Sequence, residues 1–250
     1  MDFSMLGSAD TLALYASGIA TTLELLAISL AGGLVLSIPL AVARASQVRW
    51  LSAPIAAYTF AIRGTPLLVQ VYLIYYGVAQ LDWVQARWDD AWPWMWFKAP
   101  LFCTLVAFVA NTTAYTIELV AGAIRETPAG EIEAARSLGM SGATVQTRIV
   151  LPSALRRALP AYGNEAILML HATAIASVVP GIVDLTGAAN SLYAATYRPF
   201  EAYIAAAFVY LAMTFVLVAI LRLVERRVLA HLRRPPTTGA APAAPDEVTA

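Results

Sequence analysis

Four charged side chains lie inside long apolar stretches of this sequence: Glu24, Arg63, Glu118 and Glu165. A charge near the middle of a lipid bilayer costs about 2.5–3.5 kcal/mol or more, so such residues are expected to serve a function. The planar guanidinium of Arg63 suits a carboxylate, such as the α-carboxylate of an amino acid. A carboxylate at Glu165 could receive a cationic group. These residue types predict a binding site for a charged solute within an apolar protein.

The residues predicted to form this binding site are Arg63, Thr65, Glu118, Asn164 and Glu165. A structural interpretation stays open, in which Arg63 forms an ion pair with Glu118 or Glu165 across the bundle. Glu24 is expected to be an interfacial or subunit-contact residue.

Several kinds of active site are excluded by the residues. Cys103 is the single cysteine, and His171 and His231 stand far apart, so no cluster has the spacing of metal ligands. Lys98 is the single lysine, and no glycine-rich phosphate loop with Lys-Ser/Thr is present. No nucleophile–base pair is apparent. We therefore expect no enzyme activity and no cofactor in this chain.

The composition indicates a membrane protein. Hydrophobic residues make up 60% of the 250 residues and charged residues 13%, and the mean hydropathy is +0.68. A soluble domain is about half apolar and about a quarter charged. The lipid bilayer is thus an expected partner. The formal net charge is zero and gives no indication of a nucleic-acid partner, and none is expected.

Five apolar segments are long enough to span a bilayer, at residues 18–43, 53–80, 100–124, 155–179 and 202–223. Because lipid cannot satisfy backbone polar groups, each is expected to be a helix, which gives an all-α fold. Pro66 removes a backbone donor and predicts a break near residues 63–66. Residues 18–231 form the transmembrane domain in this prediction. Residues 1–17 form a periplasmic N-terminus, and residues 232–250 form a disordered cytoplasmic tail.

The positions of the arginines and of the one lysine set the predicted orientation, because cytoplasmic loops are rich in positive charge. Few lie on one side of the predicted spans, at Arg87, Lys98 and Arg198. Many lie on the other side, at Arg44, Arg49, Arg125, Arg136, Arg148, Arg156, Arg157, Arg222, Arg226, Arg227, Arg233 and Arg234. We therefore expect the N-terminus outside and the C-terminus inside.

Between the third and fourth spans lies a polar stretch of about residues 126–152, called the insert below. Thr127 is a predicted helix cap, Pro128 suits a first helical turn, and Gly139 predicts a helix stop. A second short amphipathic helix is predicted at residues 143–150. An ordinary solvated loop would have a similar composition.

The spacing within the insert is specific. Its motif comprises Glu133, Ala134, Ala135, Gly139, Ile149, Leu151 and Pro152, and it resembles the signature of the membrane subunits of bacterial ABC importers. Residues 63–70 and 118–125 resemble the polar amino-acid permease branch. Residues 159–171 resemble the M-type permeases of histidine and lysine–arginine–ornithine uptake systems.

The resemblance implies a type I ABC importer permease fold of five transmembrane helices in a bacterial inner membrane. It implies two permeases, with a sister chain favoured over an identical copy, an ATP-binding cassette subunit dimer that holds ATP and Mg, and a periplasmic substrate-binding protein. The substrates implied are polar or basic amino acids: histidine, arginine, lysine and ornithine. The residues expected to couple to the ATPase are Glu133, Ala134, Ala135, Arg136, Leu138, Gly139 and Met140, with Ala134 and Ala135 forming a flat packing surface.

Two other classes of membrane protein are alternatives. A secondary, proton-coupled amino-acid transporter would use Glu118 and Glu165 as proton relays, but such carriers usually have internal repeats. An integral membrane enzyme would need reactive groups that the chain lacks.

Overall fold

The computed structural model describes residues 7–89 and 92–229, and within them the structure is helical without strands. The α-helices are α1 (Ala9–Ala45), α2 (Arg49–Arg63), α3 (Leu67–Tyr72), α4 (Asp82–Gln85), α5 (Pro100–Arg125), α6 (Ala129–Ser137), α7 (Gly142–Val145), α8 (Leu151–Ala172), α9 (Leu185–Thr196) and α10 (Pro199–Val228). Short 3₁₀ segments lie at Val78–Gln80, Trp94–Lys98 and Thr173–Val178, and π-helical turns at Leu73–Gly77 and Gln146–Val150. The predicted tail at 232–250 lies outside the described residues.

Helices α1 and α5 pack together at the centre of the bundle. Gly33 permits this approach, because a Cβ atom there would lie 2.6 Å from Cγ2 of Thr112. Ser29 and Ser37 also point into the protein. Small residues allow neighbouring helices to approach closely within membranes. The largest buried side chains beside this contact include Leu25, Phe108, Ile117 and Leu170.

The predicted break in the second apolar segment is confirmed. Helix α2 ends at Arg63, and α3 begins at Leu67 after Pro66, whose φ of −62° and ψ of 137° are extended. Because proline has no N–H and its ring clashes with the preceding turn, a helix cannot pass through this position undisturbed.

The first predicted short helix of the insert is α6. The second, predicted as a separate piece at residues 143–150, is instead α7 and a π-helical turn that continue without a gap into α8. Helix α6 stops at a left-handed Gly139 with φ of 76°, and Met140 N donates to Ala135 O at 3.2 Å. This is the Schellman arrangement, which favours glycine because a side chain is strained at positive φ. The predicted cap at Thr127 is wrong: Pro128 is the N-cap of α6 and provides no side-chain hydrogen bond.

Helix α9 is anchored at its beginning. The carboxylate of Asp184 accepts hydrogen bonds from the backbone N–H groups of Thr186 at 3.2 Å and Gly187 at 3.0 Å. Leu185 N donates to Thr22 Oγ1 of α1 at 3.1 Å. These contacts satisfy donors that a helix N-terminus otherwise leaves free. They fix α9 against α1.

Three of the described helices, α1, α5 and α10, are long and apolar enough to cross a membrane. The second expected span is divided by the break. The fourth corresponds to α8, which has 22 residues and carries Arg156, Arg157 and Glu165. Five crossings therefore remain a prediction.

Candidate functional site

Two cavities lie on either side of Arg63, the last residue of α2. The first, of about 660 Å³, is lined by residues of α1, α2 and α5 that include Arg44 and Glu118. The second, of about 400 Å³, is lined by the α2–α3 break, α5 and α8, and Glu165 contributes to its wall. It is called the Arg63–Glu165 cavity below.

The Arg63–Glu165 cavity is lined by two residues of opposite charge that do not form an ion pair with each other. The Arg63 guanidinium lies 5.1 Å from the ring centroid of Tyr115 on α5, within cation–π range. Arg63 forms no ion pair with any residue that the structure describes. Glu165 is half-buried on α8. The cavity can thus offer a cation to an anionic group and an anion to a cationic group of one solute.

Thr65 and Asn111 supply polar groups to the same cavity. The Thr65 hydroxyl donates to Ala61 O at 3.0 Å, so its hydrogen is already used by the end of α2. Asn111 is buried on α5. Sequence reasoning does not place Asn111 and Tyr115 in the site, because their distance from Arg63 depends on how α2 packs on α5.

Asn164, predicted to bind substrate, does not line this cavity. Consecutive residues of a helix point about 100° apart, so Glu165 faces the cavity while Asn164 is exposed on another side of α8. The structure does not bring Asn164 together with Arg63 and Glu165, and a substrate role for Asn164 stays a prediction.

Glu118 also lies outside the Arg63–Glu165 cavity. Its Oε1 accepts from Arg44 Nε at 2.8 Å and from the Thr59 hydroxyl at 2.7 Å. The expected pairing of Arg63 with Glu118 is therefore wrong, because Arg44 occupies that carboxylate. In the sequence, Arg44 is one of the arginines that follow a predicted span, and nothing in its spacing links it to Glu118.

The surface of the insert divides into an exposed and a buried side. Leu138 is 83% exposed, and Glu133, Ala134 and Arg136 are exposed as well. Ala135 is buried and packs with Val145, Val150 and the half-buried Met140. The expected flat surface of Ala134 and Ala135 is thus wrong for Ala135, which faces inward.

Arg157 of α8 ties the insert to the bundle, a contact that sequence reasoning misses. Its Nη2 donates to Ala123 O at 2.9 Å and to Thr127 Oγ1 at 2.8 Å. Its Nη1 donates to Ser153 Oγ at 2.6 Å. One guanidinium thereby joins the end of α5, the start of the insert and α8.

Metal binding finds no support in the described side chains. Within residues 7–89 and 92–229, no group of three or more His, Cys, Asp or Glu residues could hold a metal ion. The chemistry available in the described cavities is charge pairing and hydrogen bonding to a solute.

Comparison with known proteins identifies the family. Residues 33–230 match the model of the binding-protein-dependent transport system inner membrane component. The chain belongs to this family. The predicted resemblance to amino-acid ABC permeases is confirmed by two permeases and one solved structure.

Among relatives of this permease family, HisM of Escherichia coli strain K12 is a histidine/lysine/arginine/ornithine transport system permease protein. It is 45% identical over 218 residues, which cover 87% of this chain and 90% of HisM. The nopaline transport system permease protein NocM of Agrobacterium fabrum is 44% identical over 217 residues, with 87% and 88% covered.

The fold is similar to that of a solved chain described as an amino acid ABC transporter with histidines. The TM-score is 0.75 at 35% identity, and the match covers 91% of this chain and 99% of that chain. The permease subunits of this family are non-catalytic. These relatives give no support to a proton-coupled carrier that relays protons through Glu118 and Glu165.

Proposed function

We propose that this chain is the permease subunit of an ATP-driven importer of polar and basic amino acids, namely histidine, arginine, lysine and ornithine. The observation that carries the proposal is the presence of Arg63 and Glu165 on one cavity without an ion pair between them. The α-carboxylate of a substrate binds the guanidinium of Arg63, and its cationic side chain faces Glu165. The face of Tyr115 lies beside this path.

The energetics favour a transient site. Each charge-assisted hydrogen bond contributes about 1.5–3 kcal/mol net. Two such contacts hold a substrate weakly enough to release it. The charges of Arg63 and Glu165 make it less favourable for their apolar segments to insert into the membrane. Their presence despite this cost supports a role in transport.

ATP hydrolysis takes place on separate subunits in this proposal. A dimer of ATP-binding cassette subunits holds ATP and Mg and contacts the exposed side of the insert at Glu133, Ala134, Arg136 and Leu138. Gly139 shapes that surface, while Ala135 and Met140 support it from within. The excess of arginines near the insert supports placing the insert and the C-terminus on the cytoplasmic side of the membrane, with the N-terminus outside.

The proposed complex contains a sister permease and receives substrate from a periplasmic binding protein. The chain crosses the inner membrane five times through α1, the α2–α3 segment, α5, α8 with its 3₁₀ extension, and α10. The names of the relatives HisM and NocM support the amino-acid class of the substrate.

The proposal can be tested with the complete complex in proteoliposomes, by measuring uptake of a panel of amino acids. Glu165→Gln should lower uptake of lysine and arginine about tenfold relative to neutral amino acids, since one charged contact is lost. Arg63→Gln should lower uptake of every substrate. Asn164→Ala is the matched control and should behave as the parent. Unchanged uptake and preference in Glu165→Gln would remove that residue from the site.

A further inference from the structure

The break between α2 and α3 leaves a carbonyl group without its usual donor. In an uninterrupted helix, Ile62 O would accept from the N–H of residue 66. That residue is Pro66, which has no N–H. The remaining backbone contact, from Thr65 N, is long at 3.4 Å. The Thr65 hydroxyl also reaches this carbonyl, at 3.3 Å. Ile62 is half-buried, and a carbonyl shielded from water without a close partner is costly, so a closer donor is favoured here.

The side chain of Gln70 provides this donor from the first turns of α3. Its Nε2 lies 2.7 Å from Ile62 O and 3.0 Å from Thr65 O. The neighbouring carbonyls of α2 are satisfied locally, with Gly64 N donating to Phe60 O at 2.9 Å. One amide group therefore spans the break and takes the place of the missing proline hydrogen.

Asn111 of α5 fixes the orientation of that amide. Its Nδ2 donates to Gln70 Oε1 at 3.1 Å, and both side chains are buried, with 8% and 7% exposed. A reversed Gln70 amide would aim its oxygen at the carbonyls of Ile62 and Thr65 and lose the Asn111 donor. The hydrogen-bond network thus leaves one orientation.

We propose that Gln70 is a positioning residue, which acts together with Asn111 to hold the break in the shape that presents Arg63 to the Arg63–Glu165 cavity. The inference rests on the proposed function of that cavity. Arg63 directly follows Ile62, whose carbonyl Gln70 holds. Gln70 itself is not among the residues lining the cavity, so its influence on a substrate passes through Arg63.

The test is a double-mutant cycle in the complete complex, with ATPase and binding protein, reconstituted in proteoliposomes. Gln70→Leu should raise the concentration of loaded binding protein needed for half-maximal lysine uptake about tenfold, since misplacing the guanidinium removes one charged contact. In the Arg63→Gln background the same change should have an effect of less than about twofold, because interacting residues are not additive. Equal effects of Gln70→Leu in both backgrounds would overturn the inference.

Controls separate positioning from folding. Gln80→Leu alters an exposed glutamine whose Oε1 accepts from Gln85 Nε2 and should leave uptake unchanged. If Gln70→Leu fails to assemble, Gln70→Met keeps the length of the side chain but has no hydrogen for Ile62 O. It should reproduce the tenfold change, and parental uptake by Gln70→Met would refute the positioning role.

The two proposals fail in different ways. If Arg63→Gln alone leaves uptake unchanged, the proposed function of the cavity fails. If Arg63→Gln impairs uptake while Gln70→Leu does not, only the positioning role fails. Hydrogen exchange at the amides of Gly64 and Thr65 should become faster in Gln70→Leu. Unchanged exchange would contradict the role of Gln70 at the break.

Discussion

Arg44 Nε lies 2.8 Å from Glu118 Oε1 and thereby joins the end of α1 to α5. The same oxygen accepts the Thr59 hydroxyl of α2 at 2.7 Å, and Arg44 Nη1 donates to Ser52 Oγ at 3.2 Å. One carboxylate therefore holds three helices together. Because α2 ends at Arg63, this cluster also sets the position from which the α2–α3 break begins.

Replacing Glu118 should destabilise the protein. Glu118→Gln leaves the guanidinium of Arg44 without its anion, at an expected cost of about 1–3 kcal/mol. Thermal unfolding of the purified complex in detergent measures the effect. The double variant Arg44→Gln/Glu118→Gln should recover part of the loss, because no unpaired charge remains. The exposed Glu126→Gln is the control, and an unchanged Tm for Glu118→Gln would contradict the prediction.

Gly139 should resist substitution by residues other than asparagine. Its φ of 76° makes a side chain costly by about 1–2 kcal/mol, although a Cβ atom added there would meet open space. Gly139→Ala and Gly139→Asp should therefore loosen the insert and reduce transport, as limited proteolysis and uptake assays can measure. Gly142→Ala, also unobstructed and without a positive φ, should be tolerated. Equal behaviour of the two alanine variants would argue against strain at Gly139.

Leu138 should contribute to ATPase binding without stabilising the permease itself. With 83% of its surface exposed, Leu138→Asp should leave the Tm of the isolated permease unchanged. It should weaken ATPase binding about tenfold or more, since burial of a leucine is worth about 1.5–3 kcal/mol. Pull-down titration with the ATPase measures this. If Leu138→Asp bound the ATPase with wild-type affinity, the ATPase would contact another part of the insert.

Arg157 and its neighbour Arg156 form a matched pair for mutation. Arg157→Met removes the donors to Ala123 O and Thr127 Oγ1, and we expect a loss of about 3–6 kcal/mol in stability from the two charged contacts. Arg156 is exposed, so Arg156→Met should change stability by less than about 0.5 kcal/mol. The comparison uses thermal unfolding of the detergent-purified complex. Similar Tm values for both variants would refute the role of Arg157.

Gly33 and Gly122 provide a second comparison between crowded and open positions. A Cβ atom at Gly33 would approach Thr112 to 2.6 Å, whereas Gly122 has open space. Gly33→Ala should separate α1 from α5 and cost about 1–3 kcal/mol through overpacking. Gly122→Ala should be neutral or slightly stabilising, because alanine favours the helix. If the Gly33→Ala protein kept the parental Tm and assembled normally, the contact between α1 and α5 would accommodate the added methyl group without a loss of stability.

Features that depend on local chemistry could be predicted from the sequence. The break follows from the missing N–H of Pro66, and the end of α6 follows from the tolerance of Gly139 for positive φ. Arg63 and Glu165 stand out because charges are rare in apolar segments. Both line the same cavity, although nothing in the sequence indicates that these two residues lie close together.

Features that depend on tertiary packing could not be predicted in this way. The partner of Glu118 is Arg44, 74 positions earlier. The hydroxyl of Thr127 accepts a hydrogen bond from Arg157, 30 positions later, a contact that its local tendency to cap a helix does not predict. Asn164 adjoins Glu165 in the sequence, but neighbouring residues on a helix face different directions.

The contacts of Arg157 constrain how motion can pass between the insert and the bundle. Its guanidinium binds a carbonyl at the end of α5 and the hydroxyl of Thr127 while its stem belongs to α8. We therefore expect a displacement of the insert at Thr127 to reach α5 and α8 together, unless these hydrogen bonds break.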